Sequence, residues 1–326
     1  MDVAIYGVGP IGSLIAKLAL RRGFNVVAAI DIDPGKVGRD LSSLLGLERE
    51  LGVVVSDDPG VLEEARPEIV FHATTSWLDR AFPQISAALE AGADVISTCE
   101  TLSWPYYRYP ELARRLDELA REKGHTVLGT GINPGFLLDV LPAFLTLPVA
   151  EVKSIRASRS LDASRRRFSF QKKIGLGLSP GEFQEKLARG EISAHVGYAE
   201  SVLLMAHMLG LEVERVEERQ EPLLAEVPLR TEYFEVEPGE VSGIQGYGVG
   251  YVGGRPVVRV ELRAGVGLED YEEYVVEGEP SLTVRTSGVP GDLGTAAVVV
   301  NMAHRVLEAD AGLKTMADFV KASARA

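Results

Sequence analysis

The chain has 326 residues, with 34 basic against 47 acidic side chains and a formal charge of −13 at pH 7. That balance argues against a nucleic-acid or anionic-membrane surface, which needs a basic face, and the length suits two domains of roughly 150 residues each. One cysteine excludes an internal disulfide framework and points to a reducing, cytoplasmic setting, while no apolar run approaches the roughly 20 residues of a membrane span and no basic segment precedes the first apolar stretch.

The first half alternates short apolar runs with amphipathic stretches, the pattern of a parallel sheet with crossover helices. Strands are expected at Val3–Tyr6, Asn25–Ile30, Val53–Val55, Ile69–His72, Val95–Thr98 and Thr126–Leu128, with helices at Ile11–Arg22, Leu78–Ala91 and Pro110–Lys123. The first strand runs directly into Gly7-Val8-Gly9-Pro10-Ile11-Gly12, a GxGxxG turn that opens a helix. Glycines there allow a tight turn and close approach of a pyrophosphate, and the helix N-terminus supplies amide donors and a favourable dipole. Asp31 closes the second strand 19 residues beyond Gly12, near the ~20 expected of a ribose-binding acid. A carboxylate at that point accepts from the ribose hydroxyls and repels a 2′-phosphate, so NAD is favoured. Lys36 and Arg39 lie close enough in sequence to admit NADP if Asp31 swings away.

Ligands of open α/β sheets bind at the C-terminal ends of the strands. Those ends are His72-Ala73-Thr74-Thr75-Ser76, Ser97-Thr98-Cys99-Glu100-Thr101 and the turn from Gly129 through Asn133 to Phe136. Ala73, Thr74, Thr75 and Asn133 are small or polar enough to line a nicotinamide ribose. Glu100 is the only carboxylate in the three segments and the candidate for general acid–base work. Cys99 invites a thioester mechanism, but with no base evident beside it the packing role is preferred. Five scattered histidines and one cysteine give no metal-ligand spacing, and no metal is expected.

From about Val149 the pattern changes to strands at Val152–Arg159, Glu212–Glu218, Tyr233–Val236, Val257–Arg263 and Leu282–Thr286, interrupted by helices at Ser179–Arg189 and Tyr198–Leu209. Two last helices, Leu293–Glu308 and Met316–Ala324, carry apolar stripes. The expected architecture is therefore a Rossmann-type, doubly wound parallel sheet with a second α+β domain built on an open mixed sheet. Residues 1–130 form the dinucleotide-binding domain, onto which the C-terminal helices of 292–326 pack, and residues 131–291 form the second, α+β domain. In the second half Arg165-Arg166-Arg167 and Lys172-Lys173 make the one basic run, and one of these residues, or Gln171 among them, can hold a substrate carboxylate.

Five parts of the chain together carry a resemblance: the N-terminal domain, Ile132–Phe136 (INPGF), Phe170–Gly175 (FQKKIG), Gly291–Asn301 (GDLGTAAVVVN) and Gly312–Asp318 (GLKTMAD). In these the chain resembles the 2,4-diaminopentanoate dehydrogenases and native amine dehydrogenases of the dihydrodipicolinate reductase-like superfamily. The resemblance implies NAD(P)-linked oxidative deamination of an amine to a ketone and ammonia, reductive amination in reverse, and a homodimer formed through the second domain's sheet. By motif position it makes Glu100 the catalytic glutamate and His195, in Ala194–Ser201 (AHVGYAES), a substrate-pocket residue, with Phe136 and Phe168 lining the pocket. The chain lacks the paired-histidine and lysine signature of dihydrodipicolinate reductase itself. An ammonia-independent imine, enamine or ketone reductase of the same superfamily, and a non-catalytic NAD sensor, are the competing readings.

Overall fold

The computed structural model describes residues 1–320. Fifteen strands run in chain order: β1 (Asp2–Tyr6), β2 (Asn25–Ile30), β3 (Val55–Ser56), β4 (Ile69–His72), β5 (Asp94–Ser97), β6 (Thr126–Gly129), β7 (Glu151–Asp162), β8 (Arg215–Leu224), β9 (Leu229–Arg230), β10 (Glu235–Val236), β11 (Val241–Val252), β12 (Arg255–Gly265), β13 (Tyr271–Glu279), β14 (Leu282–Thr286) and β15 (Gly312–Lys314). They divide between two compact units, Met1–Phe136 with the segment that begins at Pro290, and Leu137–Val289.

The first unit is a seven-stranded sheet in the order β15-β6-β5-β4-β1-β2-β3, parallel throughout. Strands β4, β5 and β6 are buried along their whole length, as expected where helices cover both faces. The helix Leu78–Glu90 packs Leu78, Ala81, Ile85, Ala88 and Leu89 onto the sheet in the i, i+3, i+4 rhythm of an amphipathic helix, against Val70, Val95 and Leu116. Because β1 lies between β2 and β4, the chain winds outward in both directions from it, and the crevice of the topological switch opens at its C-terminal end.

The chain returns to this unit after Pro290. The expected helix Leu293–Glu308 is broken into Gly291–Asn301 and Ala303–Leu307. The first piece lies along the helix Pro10–Arg21, with Arg22 donating to Asn301 Oδ1 at 3.3 Å and Phe24 edge-on to His304. Strand β15, which has no apolar run long enough to announce it, extends the sheet beside β6. Of the expected helix Met316–Ala324, Met316–Phe319 is helical and the positions from 321 on lie outside the described residues.

The second unit is a six-stranded mixed sheet, β14-β13-β7-β12-β11-β8, in which β7 and β12 are parallel and the other pairs antiparallel. The helix Tyr198–Met208 covers one face and is buried over most of its length. The twelve-residue β11 was not among the expected strands, since Gly243, Gly246, Gly248 and Gly250 depress strand propensity. Gly246, Gly248 and Gly250 are what admit the helix, while Gly243 lies against the Ala264 carbonyl of β12. A Cβ at Gly248 would stand 2.9 Å from Tyr198 O, and one at Gly250 would stand 2.8 Å from Val202 Cγ1. The opposite face carries half-buried Arg156 and Arg259 and exposed Arg219 and Arg263 among Glu221 and Glu261.

Candidate active site

The first unit gathers the dinucleotide residues at the crest of its sheet. Gly7 has φ 97°, and a Cβ on it would lie 2.6 Å from Ala73 O and 2.8 Å from Thr74 Cγ2, while one on Gly12 would collide with the Gly7 carbonyl. The chain's own packing requires glycine at both. Gly9 is different: its backbone is extended and nothing lies within 4 Å of a Cβ built there. A side chain at Gly9 would project into open space, which is the room a pyrophosphate needs to reach the backbone. Pro10 and Ile11 then open the helix with neither a side-chain cap nor an acidic residue in the first turn, so its amides and dipole favour an anion.

Asp31 follows β2 and turns its carboxylate back to this loop. Oδ2 accepts from Val8 N at 2.8 Å and from Lys36 Nζ at 2.9 Å, and Oδ1 accepts from Asp33 N at 2.9 Å. Burial pushes its pKa up, but the Lys36 hydrogen bond and charge with the two backbone donors outweigh it and hold the carboxyl below the ordinary range. The residues present therefore fit a dinucleotide: glycine where phosphate must approach, an uncapped helix start, and an ionised acid at the end of the next strand.

Glu100 begins a single 3-10 turn, Glu100–Leu102, that follows β5 after Thr98 and Cys99. Gly129 at the end of β6 makes room for that turn, since a Cβ there would lie 2.5 Å from the Leu102 carbonyl group. Two further contacts hold the turn to the loop after β4. Thr101 Oγ1 donates to Ser76 O at 3.1 Å and accepts from Leu78 N at 2.9 Å. Ser103 Oγ donates to Glu100 O at 2.6 Å. Glu100, Asn133 and Phe136 are half-buried, and Thr75 Oγ1 accepts weakly from Trp77 N at 3.4 Å. Cys99 beside Glu100 is buried, and burial pushes its thiol up to about 12, so it is a protonated packing residue at neutral pH.

The other candidates belong to the second unit. His195 precedes the helix Tyr198–Met208, and its ring meets Tyr198 edge-on at 4.6 Å between centroids. Its Nε2 and the Tyr198 hydroxyl are both buried, with no hydrogen-bond partner among the described residues. Burial first, then the positive charges of Lys173 and Arg159, push the His195 pKa down to about 3, so the ring is neutral. Phe168 is exposed and stacks on Phe234 at 5.6 Å. The basic run divides by face: Arg165 and Lys172 point to solvent, whereas Arg166 and Lys173 are half-buried.

Gln171 departs from the expected ligand role. It is wholly buried, its amide nitrogen donates to Arg166 O at 2.7 Å and Ser164 O at 3.2 Å, and its oxygen accepts from Thr231 Oγ1 at 2.7 Å. With both amide donors spent on the chain, Gln171 shapes the loop and has no hydrogen left for a substrate. Tyr198 and Lys36 are the neighbours that sequence reasoning left out or placed at one remove, because each gains its meaning from a partner the fold supplies. Among the described residues no group of three or more His, Cys, Asp or Glu is placed to hold a metal ion, and no helix is long and apolar enough to cross a membrane.

The chain resembles known proteins along nearly its whole length. The chain is 31% identical to the 2,4-diaminopentanoate dehydrogenase of Acetoanaerobium sticklandii over 98% of its own length and 93% of that protein. It is 26% identical to an amine dehydrogenase of Streptomyces virginiae, over 87% and 84% of the two chains. The solved amine dehydrogenase of Mycobacterium smegmatis superposes with a TM-score of 0.88 at 30% identity, covering 97% of this chain and 95% of that one. Residues 136–325 match the model of the 2,4-diaminopentanoate dehydrogenase C-terminal domain. A match over more than half the chain, joined to a relative aligned along nearly all of it, means that the chain belongs to the 2,4-diaminopentanoate dehydrogenase family.

Proposed function

We propose that this protein is an NAD(P)-dependent amine dehydrogenase, converting an amine to a ketone and ammonia and running reductive amination in reverse. The observation that carries the reading is Glu100 at the head of a turn fastened to the loop after β4, on the crest that also bears Gly9 and Asp31. When bound, a nicotinamide supplies the hydride acceptor. Glu100 takes one proton from the substrate ammonium, since only the neutral amine can expel hydride from its α-carbon. Once that proton has passed to solvent, the restored Glu100 carboxylate stabilises the positive C=N group of the oxidised substrate by charge. As water adds to that carbon, Glu100 accepts a proton from it and returns one to the departing nitrogen, so ketone and ammonia leave with the proton balance closed. General acid–base assistance of this kind is worth about 10²- to 10⁴-fold.

The finer assignments rest on particular residues. Asp31 favours NAD, and Lys36, already within 2.9 Å of it, gives a 2′-phosphate a cation to pair with. In the second unit the neutral His195, whose Nε2 has no hydrogen-bond partner among the described residues, lies near the positive charge of Lys173, which supports a substrate bearing an anionic group, an amino acid of the 2,4-diaminopentanoate kind in preference to a simple amine; Arg159 is already paired with Glu272 at 3.2 Å. The open sheet face, with Arg156, Arg219 and Arg259 set among Glu221 and Glu261, is self-complementary in the way a two-fold homodimer requires, and sedimentation should give twice the chain mass.

The test of the activity is NADH and NADPH oxidation with 2-amino-4-oxopentanoate and with plain ketones, each with and without ammonium. Turnover that strictly needs ammonium is expected, faster with the amino acid. In the Glu100→Gln variant, kcat should fall by about 10²- to 10⁴-fold with cofactor affinity retained. Ammonium-independent turnover of the same carbonyls would move the protein to ketone or imine reduction, and a fully active Glu100→Gln would remove the proposed base.

A further inference from the structure

The end of β4 carries a buried histidine that the reaction scheme does not use. His72 is 1% exposed and joined at both ring nitrogens: Nδ1 lies 2.8 Å from Ser97 Oγ on β5, and Nε2 lies 2.7 Å from Gln84 Oε1 and 2.9 Å from Thr74 Oγ1. The partners fix which nitrogen bears the hydrogen. Gln84 Oε1 only accepts, so Nε2 carries the proton and donates to it. Ser97 Oγ already accepts from Cys99 N at 3.1 Å, which leaves its own hydrogen to point at Nδ1. Burial holds the ring pKa down to about 4, so one proton is all the imidazole holds at neutral pH. The result is a directed chain: Cys99 N–H to Ser97 O–H to His72 Nδ1, then His72 Nε2–H to Gln84 on the helix Leu78–Glu90.

Each end of the chain lies at a functional segment. Cys99 is the residue before Glu100, and its carbonyl closes the Glu100 turn by accepting from Leu102 N at 3.0 Å. Thr74, which also donates to Gln84 Oε1 at 2.6 Å, belongs to the loop that packs on Gly7. The Thr101–Ser76 contact ties the same two segments at a second point, so turn and loop form a frame with two struts, one of them routed through His72. We propose that His72 is a positioning residue, whose Nδ1 acceptor holds the backbone in front of Glu100 through Ser97. This rests on the assignment of Glu100 as the group that handles the substrate's protons.

Two substitutions separate the ring's two bonds. His72→Asn keeps an acceptor near the Nδ1 position and gives up the reach to Gln84, while His72→Gln keeps the donor toward Gln84 and gives up the acceptor for Ser97. With Ser97→Ala as a third variant, kcat, KM, NADH affinity and the melting midpoint are measured for all of them beside Glu100→Gln. The expected result is a kcat lowered about 10- to 100-fold in His72→Gln and Ser97→Ala, no further loss on combining the two, and kcat within about 3-fold of the parent in His72→Asn, with NADH affinity changed little throughout. Loss of kcat in Asn and Gln variants alike, in step with their melting midpoints, would make His72 a purely structural residue and overturn the proposal, as would parent-like kcat in all three. If Glu100→Gln turns over normally, the Glu100 assignment itself falls; if Glu100→Gln is inactive and the His72 and Ser97 variants are not, only the positioning role falls.

Discussion

Lys36 sets a positive charge against the carboxylate of Asp31. Its ammonium sits 2.9 Å from Asp31 Oδ2 and 3.6 Å from Asp33 Oδ2, so the acid that repels a 2′-phosphate holds beside it the cation that would attract one. Ribose hydroxyls need the carboxylate, and a 2′-phosphate needs the lysine. Lys36→Ala should therefore raise KM for NADPH about 10-fold, as expected for losing one charge-assisted bond to phosphate, and change KM for NADH less than about 3-fold. Equal losses for both cofactors, in parallel steady-state assays, would show that Lys36 only steadies Asp31. This residue was legible in part: Lys36 stands five positions after Asp31, and a charge so near in sequence announces itself. His72 and Gln171 were not, because their partners lie far along the chain. His72 meets Ser97 25 positions on, and Gln171 meets Thr231 60 positions on, so no local pattern distinguishes a buried strut from a ligand contact.

Among the elements, the parallel strands of the first unit could be read from sequence because burial on both faces turns them into unbroken apolar runs; Asn25–Ile30 and Ile69–His72 match their expected limits. Strands whose existence depends on a neighbour were not readable. β15 is three residues that become a strand by pairing with β6, and β11 hides behind glycines whose purpose is to let the helix Tyr198–Met208 approach. That close approach gives a prediction. Gly248→Ala places a methyl carbon 2.9 Å from Tyr198 O and 3.0 Å from Val202 Cγ2, so the helix must lift from the sheet, at a cost of about 1–3 kcal/mol. Gly181, exposed within the helix Pro180–Ala188 and with nothing within 4 Å of an added Cβ, is the contrasting site: Gly181→Ala should stabilise by about 0.5–1 kcal/mol. Denaturant melts of the two variants read both signs, and a neutral Gly248→Ala would mean that the helix is not seated by the glycine row.

For the molecule as a whole, acid sets two effects against each other. The chain carries −13 at pH 7, so lowering the pH relieves repulsion among surface carboxylates, an effect that salt at physiological strength largely screens. Against it stand two neutral imidazoles, one in each unit: His72, buried and held down to about 4 chiefly by that burial, and the half-buried His195, held down to about 3 by desolvation and then by Lys173 and Arg159. Each takes a proton near its ordinary 6.5 once unfolded, but not while folded until well below pH 5. The unfolded chain thus binds more protons across that window. The stability these groups contribute is complete above pH 6.5 and is lost as the pH falls toward 4. By pH 5 the loss from His72 alone is about 2 kcal/mol, with a smaller share from the partly accessible His195. Asp94, whose carboxyl burial lifts above its ordinary 3.8, works in the opposite sense. Desolvated groups are not screened, so the histidines should win: the melting midpoint should drop by several degrees between pH 7 and pH 5 in 0.15 M salt. In His72→Asn the slope should flatten while His195→Asn removes the remainder, and a midpoint that holds or rises on acidification would show that surface repulsion governs the fold.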